Sequence, residues 1–286
     1  MIKTIHSLDE VMDFAWELSQ NNLHASYPRI NSIEELKGEL EKAINLENRN
    51  IIGYYDQEVL CGVCFYYWIS DEKYAQTAGF LIKGDYDEIA DKFISYISKQ
   101  LPGYELYIGV PFTNKNANEY FTEKNIELID RSIVTAMYNL ESRGYESHNQ
   151  VEKITSSNFE EYAVFHDKYA IPLGMYFNSK NLQKAIDRFR IFAFRQDGEI
   201  HGSMFTKAFK DGGDVIGLFL DKEYKNKGIE SILINETLMQ FYNEFGSLRE
   251  ILYFIDEDCT DELSAALTAG FKIKENYRLY KCMLSI

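Results

Sequence analysis

The same order of elements runs twice through the 286 residues of this chain, so its fold must be assembled from two like units. In the first copy, Ser7 and Glu10 form a capping-box pair ahead of Val11, Phe14, Ala15 and Leu18, and this predicts a helix. Ser32 with Glu35 predicts a second helix. Apolar runs at 50–55, 59–68 and 77–82 predict strands. A helix at 87–101, a strand at 104–110, a helix at 117–124 and a strand at 133–140 complete the copy. Residues 141–150 are polar and without period, and they read as a linker. The second copy opens with the pair Ser157 and Glu160 and a helix to about Tyr169, then another helix near 182–188. Strands at 190–195 and 200–208 flank a turn at Asp197-Gly198, and Gly217–Leu220 stands where Gly79–Ile82 stood. A strand at 251–255, a helix at 262–269 and a strand at 277–284 close it. Two domains are expected, 1–142 and 150–286.

The most informative stretch lies in the second copy. Val215–Leu220 has the length and bulk of a buried strand. A polar loop follows with Lys222, Lys225 and Lys227, and after Gly228 the residues Ile229, Ile232, Leu233, Leu238 and Phe241 recur at helical spacing. A strand, a cationic loop and a helix start in that order form an anion site, because unpaired N–H groups and the helix dipole both favour negative charge there. Gly228 lets a phosphate approach the backbone without meeting a side chain.

This stretch resembles the acyl-CoA pyrophosphate loop of the GNAT acetyltransferases, Arg/Gln-x-x-Gly-x-Gly/Ala between a strand and a helix. Lys225, Asn226, Lys227, Gly228, Ile229 and Glu230 occupy the six places, with Ser231 following. Glu230 departs from the pattern by putting a carboxylate where a small residue normally stands. The repeated order is also that of a GNAT domain, so the resemblance spans nearly the whole chain as a tandem pair. It implies an α+β fold: two tandem GNAT-like domains, each a mixed, twisted β-sheet flanked by helices. It also implies acetyl-CoA as co-substrate, with the backbone of Leu218, Phe219 and Leu220 holding the pantetheine arm and thioester carbonyl between splayed strands.

The copies have lost different parts of the pattern. In the first, Ile82 leads into a shorter loop with Asp85, Asp87 and Glu88, whose carboxylates would repel a pyrophosphate by several kcal/mol, of the order expected at an effective dielectric near 20. That copy nevertheless keeps more of the family's later motif, with Asn114, Ala117, Phe121, Asn125 and Ile126 at the places of Asn, Ala, Tyr, Gly and Phe. The second copy keeps Gly270-Phe271 but has Cys259, Glu262 and Ala266 at the earlier places. The Tyr that often serves as acid toward the thiolate is absent from both.

A net charge of −15 argues against nucleic acid and against an anionic membrane surface. It is compatible with a cationic amine substrate, although acidity serving solubility is the plainer reading. Residues 1–6 contain no apolar signal core, and the longest apolar run, 59–69, is too short to span a bilayer. Cys61-Gly-Val-Cys64 reads as Cys-x-x-Cys, but it lies inside an aromatic strand where i and i+3 face opposite ways. With Cys259 and Cys282 apart, no second Cys pair or nearby His completes a zinc site, so reduced thiols in a cytoplasmic protein and no metal are expected.

Acyl transfer to an amine needs a base, an oxyanion donor and an acid. Asp214, at the start of the strand before the loop, and His201, on the neighbouring strand, are the candidate bases, although each also reads as an ordinary turn or strand residue. Tyr280 is the candidate acid, with Tyr277 beside it, and both also read as core residues of a final strand. The favoured function is N-acetyl transfer to a small-molecule or peptide amine. An inactive acyl-CoA-binding or interaction module is the alternative.

Overall fold

A computed structural model of the protein describes residues 1–144, 147–209 and 211–285. Strands and α-helices are numbered here in chain order. The first copy contains β1 (Ile2–Thr4), α1 (Met12–Gln20), α2 (Ile33–Asn45), β2 (Arg49–Asp56), β3 (Val59–Ile69) and β4 (Tyr74–Ile82). It continues with α3 (Tyr86–Gln100), β5 (Glu105–Pro111), α4 (Lys115–Glu123) and β6 (Glu127–Tyr138). The second contains β7 (Val151–Ile154), α5 (Phe159–Ala170), α6 (Ser179–Gln183), β8 (Phe189–Gln196), β9 (Glu199–Phe209) and β10 (Gly212–Leu220). It ends with α7 (Ile229–Phe245), β11 (Glu250–Asp256), α8 (Thr260–Thr268) and β12 (Lys272–Met283).

These elements gather into two compact units, Met1–Arg131 with Glu275–Ile286, and Ser132–Lys274. The domains drawn from the sequence, 1–142 and 150–286, follow chain order, whereas the units differ from chain order at their last strands. In the first unit the strand order is β1-β2-β3-β4-β5-β12, and in the second it is β7-β8-β9-β10-β11-β6. Tyr277 of β12 lies opposite Pro111 of β5, while Ser132 of β6 lies opposite Asp256 of β11. Each copy's closing strand thus completes the sheet of the other copy. An alternating pattern specifies which face of a strand is buried but not which edge it joins, so β6 and β12 are interchangeable on pattern alone.

Each unit is the expected α+β arrangement, a mixed sheet with helices on both faces. The sheet of each is antiparallel except for one parallel pair, β4 with β5 and β10 with β11. Alternation on β3 sends Val63 and Phe65 towards α1 and α2, and Cys64 and Tyr66 towards α3. On β8, Ile191 and Ala193 join the α5–α6 side, and Phe192 and Phe194 the α7 side. Ser32 caps α2 by accepting from Glu35 N at 3.1 Å, and Glu35 reaches back to Asn31 N at 2.8 Å. The two other expected capping boxes do not form. A 3-10 turn at Leu8–Glu10 separates Ser7 from α1, and α5 starts from Asn158, whose side chain is engaged with Thr155 N at 2.7 Å.

Gly79 is required by close packing. It lies opposite Phe65 on β3, and a Cβ placed on it would stand 2.1 Å from the Phe65 ring. Gly79→Ala therefore forces the ring out of its site, and urea unfolding should show a loss of about 1–3 kcal/mol.

Candidate functional site

In the second unit β10 and β11 pair from Gly212–Glu250 to Val215–Tyr253 and then part. The cause is a bulge: β9 pairs with Val215 and then with Gly217, leaving Ile216 as the extra residue that turns the rest of β10 aside. From Gly217 to Leu220 one edge of β10 stays on β9, and among the described residues no strand pairs with the other edge. Phe219 is buried with the α5–α6 cluster and Leu220 with the α7 cluster, so their backbone lines this edge, beside a half-buried Leu218.

The loop beyond it ends in an uncapped helix. Asn226 has φ of 60° and Gly228 has φ of 80°, both left-handed, and Gly228 is the N-cap of α7. No side chain caps α7, and a Cβ at Gly228 would meet nothing within 4 Å, so the first turn's N–H groups are left without a side-chain acceptor beside a cap residue that stands in open space. Ile229 and Glu230 turn their side chains inward, Ser231 is half-buried, and Lys225 and Lys227 stay exposed around the opening. The corresponding helix of the first unit is different. Asp85 caps α3 by accepting from Glu88 N at 3.1 Å, which puts a carboxylate where an anion would bind.

Asp221 fastens the loop to the sheet. Its carboxylate accepts from Lys168 at 2.5 Å, Tyr169 at 2.7 Å and His201 at 3.1 Å. Burial works against its charge, but the three donors hold it below the usual carboxylate range. His201 also stacks on Tyr224 at 4.1 Å, and Lys227 Nζ lies 4.8 Å from the centroid of the same Tyr224 ring. With its amide turned to donate, Asn226 reaches Asp261 of α8 at 2.6 Å. The sequence reading missed Asp221 because nothing in the strand pattern sets the last residue before a loop apart from any turn-forming Asp.

The three candidate catalytic residues are not brought together. His201 is committed to Asp221 beside the loop. Asp214 lies on the paired side of the fork, opposite Lys207 and Leu252, and burial raises its carboxyl above the ordinary value despite Lys207. Tyr280 belongs to the first unit, where it stacks on Phe121 at 4.6 Å and donates to Asn118 at 2.9 Å. Tyr277 is in the first unit too, edge-on to Tyr27 at 4.6 Å. The reason is the crossing of the closing strands, which removes both tyrosines from the unit that carries the loop.

A polar pair absent from the candidate list stands at the fork. Tyr253, on the last β10–β11 rung, donates its hydroxyl to Glu262 of α8 at 2.5 Å. Glu262 is half-buried, and desolvation together with Glu230 raises its carboxyl to about 7 against the opposing pulls of Tyr253 and Lys225. Its place in the motif was visible as a departure from Ala, but its partial burial was not.

The first unit has the same fork and has filled it. β4 and β5 pair only from Tyr74–Glu105 to Gln76–Tyr107, and Ala78 is the bulged residue. Residues 22–27 then bridge the gap. On the β4 side His24 Nδ1 donates to Ile82 O at 2.8 Å and Phe80 N donates to Ser26 Oγ at 2.9 Å. On the β5 side Tyr27 N donates to Gly109 O at 2.8 Å, and Asn114 donates to Ala25 O at 3.0 Å. The backbone groups that a pantetheine arm would use are spent on the chain itself.

No family model matches the sequence, and no curated protein matches it. Solved structures of the same fold do. A GCN5-related N-acetyltransferase from Sphaerobacter thermophilus aligns with 100% of this chain and 96% of its own, with a TM-score of 0.64 and 12% identity. A tandem GNAT protein from the clavulanic acid biosynthesis pathway aligns with 100% of this chain and 99% of its own, at a TM-score of 0.59 and 10% identity. An acetyltransferase of the GNAT family from Colwellia psychrerythraea covers 98% of this chain and 99% of its own, at 0.54 and 13%. The chain therefore has the tandem GNAT fold.

Behind β10, a buried histidine ties the α5–α6 connection to the site. His166 donates through Nε2 to Phe177 O at 2.7 Å and accepts at Nδ1 from Tyr162 at 2.9 Å, with Phe219 edge-on to its ring. Burial lowers its basicity. The unfolded chain takes up a proton near pH 6.5 that the native state refuses, so this residue's contribution to stability falls as pH drops below that value. Thermal melts from pH 7.5 to 5.5 should show a steeper loss for the native protein than for His166→Gln.

Proposed function

We propose that the protein is an acyl-CoA-dependent N-acetyltransferase whose second unit binds acetyl-CoA and whose first unit is a scaffold. The observation that carries this reading is the contrast between the two forks. One has an unpaired strand edge leading to an uncapped, lysine-flanked helix start, and the other has its edge paired and its helix capped by a carboxylate. On this reading the N–H groups at the start of α7, with Lys225 and Lys227, hold the pyrophosphate. The edge of β10 from Gly217 to Leu220 takes the pantetheine arm, and a backbone N–H there polarises the thioester carbonyl as it gains negative charge.

The amine must reach the carbonyl uncharged. We assign its deprotonation to Asp214, because a carboxylate made more basic by burial accepts a proton more readily. His201 is given the task of holding the loop through Asp221. A net charge of −15 favours a cationic acceptor, so we place a small-molecule or peptide amine in the site. No helix among the described residues is long and apolar enough to cross a membrane. With its described cysteines free, the protein is proposed to work in the cytoplasm.

A second reading, an acyl-CoA-binding module without turnover, is favoured by Ala266 at the place of the usual Tyr acid. Turnover of acetyl-CoA with a panel of primary amines separates the two. Binding itself is read by thermal shift. CoA at about a hundred times its Kd should stabilise the protein by about 2.7 kcal/mol. Lys225→Glu should remove that shift without lowering the unliganded melt. Gly228→Asp should remove it as well, at a cost of about 1–2 kcal/mol for a side chain at left-handed φ. Stabilisation by CoA that survives both changes would place the ligand elsewhere.

A further inference from the structure

We propose that Glu262, held by Tyr253, is the acid that protonates the CoA thiolate as the thioester bond breaks. The inference rests on the acyl-transfer reading and supplies the group which that reading lacks, since Tyr277 and Tyr280 lie in the first unit and Ala266 has no proton to give.

The argument begins with an internal comparison. In both units the strand after the fork ends three residues before a helix N-cap, Pro111 before Asn114 and Asp256 before Cys259. Counted from these caps, Tyr253 and Glu262 correspond to Ile108 and Ala117, both fully buried and apolar. The filled fork therefore has a hydrocarbon contact where the open fork has a phenol and a carboxyl group. Withdrawing the phenol fully and the carboxyl group partly from water carries a desolvation cost, and the fold does not need the pair, as the first unit shows.

The surroundings of Glu262 place it at the mouth of the fork. Four groups act on its charge: Tyr253 on the last paired rung, Glu230 in the first turn of α7, Lys225 in the loop and Asp256 at the end of β11. Cys259, the N-cap of its own helix, is the fifth titratable neighbour. Glu262 and Ala266 lie one turn apart on one face of α8, so the carboxyl group stands a turn before the place where the fold would present a phenol. A carboxyl group at about 7 is close enough to a thiol's ordinary value near 8.5 for transfer to run downhill without being locked in the charged form at neutral pH.

The step balances as follows. The ammonium group first gives one proton to Asp214, which passes it to solvent; the amine nitrogen then bonds to the carbonyl carbon and gives a second proton to Asp214. The carbon–sulfur bond then breaks, its electron pair goes to sulfur, and sulfur takes the proton of the Glu262 carboxyl group. The new carboxylate accepts from the Tyr253 hydroxyl. Glu262 is reprotonated from solvent as Asp214 releases its proton, leaving amide and CoA thiol.

The test uses Glu262→Gln and Tyr253→Phe in the full chain, with CoA, acetyl-CoA and a panel of primary amines. Glu262→Gln should bind CoA within about threefold of the native protein. Its kcat should be lower by about 100-fold, and it should lose the fall in kcat above pH 7. Infrared difference spectra, which need no turnover, should show a protonated carboxyl band that fades through pH 7 and is absent from Glu262→Gln. In Tyr253→Phe, which loses a hydrogen bond to the carboxylate, the midpoint should move upward, and this variant carries the test if Glu262→Gln does not fold. A native kcat and pH profile in Glu262→Gln, or no band titrating between pH 5 and 9, overturns the assignment while acyl transfer stands. If the native protein shows no CoA binding and no turnover, both readings are overturned.

Discussion

The structure depends on the point where two parallel strands stop pairing. A parallel pair satisfies its backbone groups only while the strands remain neighbours, and one extra residue on one of them is enough to end that. Ile216 does this on β10 and Ala78 does it on β4. Every backbone group beyond the bulge then needs another partner, because buried N–H and C=O groups are not left unpaired without cost. The two units answer that demand in opposite ways, and the difference between them carries the functional account.

In the first unit the answer is covalent. Residues 22–27 are part of the chain, so their ordering is achieved on folding and the fork is closed without any ligand. Asp85 completes the closure by accepting from the helix-start N–H of Glu88. In the second unit the corresponding groups face an opening whose rim is made by Lys225, Lys227 and Gly228, and Asp221 holds that rim through contacts with Lys168, Tyr169 and His201. A site of this kind is preorganised: the left-handed turns at Asn226 and Gly228 are already made, and binding need not order them.

Much of this was legible in the sequence, and the remainder was hidden for identifiable reasons. The repeated order of elements, the loop and the uncapped Gly228 follow from period, turn chemistry and the position of one glycine, all of which are local. The carboxylates of the first loop were legible as hostile to phosphate, and Asp85 proves to act as a cap. What local pattern does not contain is partner choice. The alternation on β6 and β12 suits either sheet, so Tyr280 was read as part of the unit that carries the loop, whereas it belongs to the first unit. The Tyr253–Glu262 pair was hidden for a related reason: a Glu in the first turn of a helix normally serves the dipole at the surface, and only the tertiary contact with Tyr253 of β11 draws this one partly inward.

The central claim, one acyl-CoA site in a chain with two forks, is tested most directly by a crystal structure grown with CoA at saturating concentration. The account predicts density for one CoA per chain, its pyrophosphate against the start of α7 and its pantetheine along Gly217–Leu220, with residues 22–27 still bridging β4 and β5. Density between β4 and β5, with that segment displaced, would contradict it.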